Sequence, residues 1–340
     1  MMLLLTACGT TAAAVQKTSD LASSPVAATD TTGAAAAPPT AAAAPPTQPL
    51  TGLPADPATV ARPVLVVKID NVGGAHPQSG INQADVVYEE LVENSSTRLM
   101  ALFQSTDAGP IGPVRSARPT DVLVYTPLNR PLFAWSGANT WVRKMVGESN
   151  IVDVGNTPAA DQYYRDGGRS APHNLFIQGY TAMLASHQED AGAPAPLFGY
   201  RTPSDPLGAN ARPVGSVNIV YGHYGGNAPV DYTWDANIGG WLRWQAGAPH
   251  TDTDGVHVAP PNVVIQFIDY VPNAGIPDGQ LLGYGVAWVL TAGHIVEGSW
   301  VKTAPETPTQ FLDAAGAPIK LTPGRTWVSL APGDSATITG

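Results

Sequence analysis

The chain has one cysteine in 340 residues, so no intramolecular disulfide can staple it. Charge is sparse too: Asp, Glu, Lys and Arg make up 13% of the residues, about half the share usual in soluble domains. What charge there is leans negative, with 27 acids against 17 bases and a formal net charge of −10. That balance argues against nucleic acid as a partner, because phosphate contacts need a basic face. No apolar run approaches the ~20 residues of a membrane-spanning helix. The phosphate-binding and dinucleotide glycine loops, the HExxH zinc motif and a nucleophilic cysteine are all missing. No cofactor and no metal is therefore expected.

What the sequence does have begins at that one cysteine. "MMLLLTACGT" places Leu5, Thr6 and Ala7 ahead of Cys8, the pattern of a bacterial lipobox whose cysteine becomes the lipid-modified N-terminus. The alternative is a chance cysteine after an apolar start, since apolar leaders mimic targeting signals. The basic region that usually precedes such a run is absent, which points to a translation start upstream of Met1. Residues 9–48 are rich in Ala, Pro and Thr with no aromatics, too little apolar surface to offset ordering entropy. They read as a disordered, semi-stiff tether after a signal remnant at 1–8. An anchor and a tether imply a body held at the extracytoplasmic face of a membrane, with the lipid anchor as its attachment.

From Pro49 the composition changes. "RPVLVVKID" reads as a buried strand, and "ADVVYEELVE" and "TRLMALFQ" as a hairpin joined at "ENSS". "NTWVRKMV" and "GYTAMLASHQ" carry helical apolar spacing. Strands mixed with helices predict an α/β or α+β N-terminal domain over 49–195. The turn-rich 196–213 reads as a linker. From 214 to 335 helical signals vanish, and short strand-like pieces alternate with Gly-containing turns, predicting an antiparallel all-β C-terminal domain.

Acids and bases concentrate where the first domain's strands end. Asp70 closes the first strand, and Asn71, His76, Gln78 and Ser79 follow it, the position where open α/β sheets bind ligands. Ordinary turn chemistry accounts for the same residue types. Strand alternation places Glu89 and Glu90 on opposite faces. A two- or four-residue turn would pair Leu91 with Arg98 and make Arg98 a diagonal neighbour of Glu89. Burying either glutamate unpaired is prohibitive, so at least one is expected to meet a cation or line a cleft. "GPIGPVRSARP" then supplies Arg115, Ser116 and Arg118 on a loop stiffened by Pro113 and Pro119. The arginines are expected to face Asp70, Glu89 and Glu90, either pinning the loop to the sheet or lining a binding cleft.

"RPVLVVKIDN", "HPQSGINQADVVYEELVE", "TRLMALFQS" and "IGPVRSARP" in that order, with "PHTDTDGVHVAPPNVVIQF" further on, resemble the YerB-like bacterial lipoproteins, two consecutive domains of unknown function 3048. The resemblance covers Pro49 to Ala331. It differs at His76, where the pattern often shows Arg, and at Asn94-Ser95-Ser96, where it often shows a glycine pair. It implies a lipid-anchored, extracytoplasmic protein and no established activity.

In the second domain Tyr224, Trp234, Trp241 and Trp244 could stack on sugar rings, or simply fill a β core. His250, Asp252 and Asp254 alternate as possible cation ligands but lack an EF-hand's glycine and closing glutamate, and read as exposed turn residues. His173 could serve as a base or as a packed core residue. The expected function is binding of an envelope component, namely peptidoglycan, another polysaccharide or a partner protein, through the charged cleft of the first domain. The alternatives are an envelope hydrolase using Asp70, Glu89 and Glu90 as general acid and base, and a purely structural bridge.

Overall fold

The β-branched run at 62–70 becomes strand β1 (Leu65–Asp70), buried along its whole length. The computed structural model describes residues 45–187, 190–222 and 229–340; Cys8 and Tyr224 lie outside them. The N-terminal half adds β2 (Val86–Leu91), β3 (Thr97–Phe103), β4 (Leu132–Ala134), β5 (Val152–Asp153), β6 (Tyr163–Arg165) and β7 (Leu175–Ile177). Its helices are α1 (Pro57–Val60), α2 (Thr120–Tyr125), α3 (Thr140–Glu148) and α4 (Tyr180–His187).

The C-terminal half is strand throughout its regular structure. It runs through β8 (Arg212–Pro213), β9 (Ser216–Ile219), β10 (Val230–Asp235), β11 (Gly240–Gln245), β12 (Ala248–Pro249) and β13 (Asn262–Ile268). There follow β14 (Tyr270–Asn273), β15 (Ile276–Gly279), β16 (Gly283–Thr291), β17 (His294–Lys302), β18 (Gln310–Leu312), β19 (Thr326–Pro332) and β20 (Ala336–Ile338). A mixed first half and a mainly antiparallel β second half match the expected fold class. The pairing of β13 with β19 is parallel.

One sheet of eleven strands takes members from both halves, in the order β18-β17-β16-β13-β19-β2-β3-β1-β4-β5, with β8 beside β17. The junction is the parallel pair β19–β2, running from Thr326 opposite Val86 to Leu330 opposite Glu90. A second sheet, β12-β11-β10-β9-β20, packs on one face of it. Val67, Ile69, Val87 and Trp327 share a core there with Val217, Tyr232, Trp241 and α4. On the opposite face Val66, Val86, Leu102 and Val328 pack with α2, α3 and Leu281. Covered on both faces, the central strands have no solvent side, which is why their sequences read as mainly apolar runs broken by a few buried charges. The segment 196–213 buries Leu197 and Phe198 in that second core.

Candidate functional site

Two neighbouring carboxylates on β2 face opposite layers, and each meets its own cation. Glu89 enters the layer between the two sheets, where β11 delivers Arg243; the guanidinium donates to both carboxylate oxygens at 3.0 and 2.9 Å. Both side chains are fully buried. Asn71 and Thr97 also donate to Glu89, at 3.0 and 2.9 Å. Arg243 spends its remaining N–H groups on Gln245, His250 and Tyr232, and lies 4.8 Å over the Trp327 ring. His250 then bonds Gln78, and Gln78 and His76 both donate to the Asn71 side-chain oxygen. Burial and the Arg243 charge push His76 down to about 4 and His250 well below its usual range, so both imidazoles stay neutral at neutral pH.

Glu90 faces the helical layer. It contacts Lys68 of β1, which also reaches Asp121 of α2 at 2.6 Å, and all three are buried. Two acids on one base leave a net negative charge. Desolvation, opposed by Lys68 and reinforced by Asp121, holds the Glu90 carboxyl up at about 7.

The hairpin differs from its expected register by one residue. Leu91 pairs with Thr97, and Glu90 with Arg98. The connection closes through a turn at Glu93–Ser95 in which Asn94 and Ser95 adopt left-handed backbone angles, so it has an odd number of residues. Arg98 thus sits between Glu90 of β2 and Asp70 of β1, rather than beside Glu89. The two loop arginines also divide their partners. Arg115 pairs with Asp70 at 2.9 Å, as expected, and His173 donates to the same carboxylate at 2.7 Å. Arg118 instead forms a fork on Glu93, at 2.7 to 2.9 Å.

Asp70, Asn71, Gln78, Glu89 and Glu90 are therefore sealed, each at most 3% exposed. Ser79 is nearly so, and its hydroxyl donates to the Pro110 carbonyl. This leaves the hydrolase alternative without an accessible acid among its three candidates. What reaches solvent is the rim above them: Arg115 and His173, with side chains 24% and 25% exposed, and Ser116. Arg98 lies just beneath. Among the described residues it forms no ion pair, and it donates to the Ser116 carbonyl at 2.9 Å. Burial, with Arg118 and Arg115 close by, pulls its pKa down to about 10.

Of the aromatic candidates, Trp241 is fully buried and packs 5.1 Å from Trp234. Trp244, on the other face of β11, stands edge-on to His257. His250 and Asp252 are not the exposed turn residues expected. His250 belongs to the Arg243 network, and Asp252 is buried, accepting from the backbone N–H groups of Asn82 and Gly80. Lys68, Asp121 and Arg243 were missing from the expected site. A lysine inside the apolar run "VLVVKID" was the available signal, since such a charge needs a buried partner.

A model of the N-terminal domain of a protein of unknown function, DUF3048, matches residues 50–193, and its C-terminal domain model matches 217–328. The chain belongs to the DUF3048 family. A relative from Bacillus subtilis (strain 168), named "Putative lipoprotein YerB", is 28% identical over 302 residues, which is 85% of this chain and 88% of that one. The crystal structure of the Bacillus subtilis YerB protein superposes with a TM-score of 0.76 at 25% identity, covering 86% of this chain and 99% of that one. The family's two halves correspond to the two parts of the shared sheet described above. Among the described residues no helix is long and apolar enough to cross a membrane.

Proposed function

We propose that this protein is lipid-anchored through Cys8 at the extracytoplasmic face of a bacterial membrane, and that it binds an anionic, phosphate- or carboxylate-bearing component of the cell envelope at the arginine rim. The leader, the tether and the lipoprotein name of the relative support the anchoring. The binding reading rests on Arg98. A largely buried guanidinium with no direct ion pair of its own among the described residues is costly: Asp70 and Glu93 are near enough to act on it, but both are already paired with the flanking arginines. An anion bridging Arg98 and Arg115 over Ser116 would supply the missing charge through directed N–H donors.

The test uses the full chain and isolated cell-wall sacculi, with and without their phosphate-bearing polymers. Wild-type protein should be retained in a salt-sensitive way, and Arg98→Gln should lower retention about tenfold with the melting temperature maintained. No retention of the wild type on either preparation, or equal retention of the variant, refutes the reading.

A further inference from the structure

Strands β16 and β17 are joined by a two-residue turn, Ala292-Gly293, in which both residues have positive φ (49° and 74°). In such a hairpin the flanking pair, here Thr291 and His294, exchanges both backbone hydrogen bonds, and the pattern then alternates. Counting back, Val289, Ala287, Gly285 and Gly283 face β17. Leu290, Trp288, Val286 and Tyr284 therefore turn their backbone groups the other way. On that side β13 takes up Leu290 and Trp288, but its pairing ends at Gln266 opposite Ala287. Val286 and Tyr284 lie past the end of it, on an edge that no strand among the described residues covers.

The reason the β13–β16 pairing stops is visible in one side chain. The Trp300 indole crosses β16 at Gly285, where an added Cβ would lie 2.5 Å from its Nε1. It donates to the Phe267 carbonyl at 2.8 Å, the group that would otherwise continue the ladder. Beside this edge lies a groove of about 380 Å³ that includes Phe267, Trp288 and Trp300 in its wall. Its rim exposes Tyr284 (85%), Val286 (56%) and Leu282 (47%). Asp269 and Asp334 also line it, both exposed, and neither has an ion pair among the described residues. Unpaired strand edges are normally blunted by charge, proline or cover. Here an apolar stripe coincides with one.

We infer that this edge docks an extended, basic segment of a partner protein, which adds a strand alongside Tyr284–Val286. Main-chain hydrogen bonds would supply the pairing, and alternate apolar side chains would enter the groove. The intervening Lys or Arg residues would meet Asp269 and Asp334. Three observations select this occupant: the free ladder favours a peptide backbone, the apolar rim favours alternate apolar side chains, and the two carboxylates together with a net charge of −10 favour a cation.

Titration calorimetry of the full chain with acetyl-Lys-Val-Lys-Val-Lys-Val-amide tests this. Saturable binding is expected. It should weaken about tenfold or more when alternate peptide amides are N-methylated, when Glu replaces Lys in the peptide, or when the protein carries Val286→Lys. Asp269→Asn/Asp334→Asn, which keeps the shape, should weaken it similarly and remove its salt dependence. Unaltered affinity in the N-methylated or Glu peptide, or in either variant, overturns the proposal. So does binding of a chitooligosaccharide in place of the peptide, or a concentration-dependent dimer of this chain that Val286→Lys dissolves.

Discussion

Replacing Arg243 with methionine removes the cation of the inter-sheet layer while roughly keeping its length. Glu89 then loses its cation, whose one Nη2 donates to both carboxylate oxygens, and among the described residues keeps Asn71 and Thr97 as donors. Breaking a fully buried ion pair by deleting one member costs about 3–5 kcal/mol, because the other charge stays desolvated. His250 and Gln245 also lose a donor, whereas the methionine sulfur keeps part of the contact with the Trp327 ring. At a urea slope of about 3 kcal/mol/M the unfolding midpoint should fall by about 1 M or more. Circular dichroism and tryptophan fluorescence, followed together, measure it. The two signals should move as one, because Glu89 lies in the first family half and Arg243 in the second. The double variant Glu89→Gln/Arg243→Met removes both charges and should recover a substantial part of the loss. A midpoint shift below about 0.3 M, or a double variant no better than the single, would refute the view that this pair stabilises the layer.

Glu90 makes the opposite electrostatic prediction. Its folded-state value of about 7 lies above the ordinary 4.5, so between those values the unfolded chain releases its proton first and stability falls as pH rises. Glu90→Gln leaves Lys68 balanced by Asp121 alone, and should flatten that decline and be relatively more stable at pH 8 than at pH 5, as read from urea midpoints across the window. A variant with the wild-type pH slope would assign it to other groups. Gly285→Ala should cost about 1–3 kcal/mol by driving the Trp300 indole off the strand; an unchanged melting temperature would mean that the indole is not fixed there.

Much of the fold was legible because local chemistry and burial agree. The run at β1 is buried on both sides and looks it, and the apolar spacing of α3 and α4 survives in the structure. Alternation correctly separated Glu89 from Glu90. The register of β2 against β3 was not legible, since it depends on two left-handed residues, Asn94 and Ser95, that any short polar turn could have avoided. Helix α2 was missed because "TDVLVY" alternates β-branched residues; Asp121 accepts locally from the Arg118 N–H at the helix start, but its pairing with Lys68 is set by tertiary structure. Partners far apart in the chain were the least accessible. Arg118 was expected near the sheet acids, yet it took Glu93, closer to the hairpin tip. Glu89 found its cation in a strand 154 positions away, and no local pattern specifies such a match.

The parallel seam between β2 and β19 has a genetic consequence. Each family half carries one lip of that seam and so would display a bare inner strand if translated alone, an invitation to pair with other copies and precipitate. Recombination that shuffles one half onto a foreign neighbour would have to import a matching lip as well. A fragment strategy for expression should therefore keep both stretches in one polypeptide.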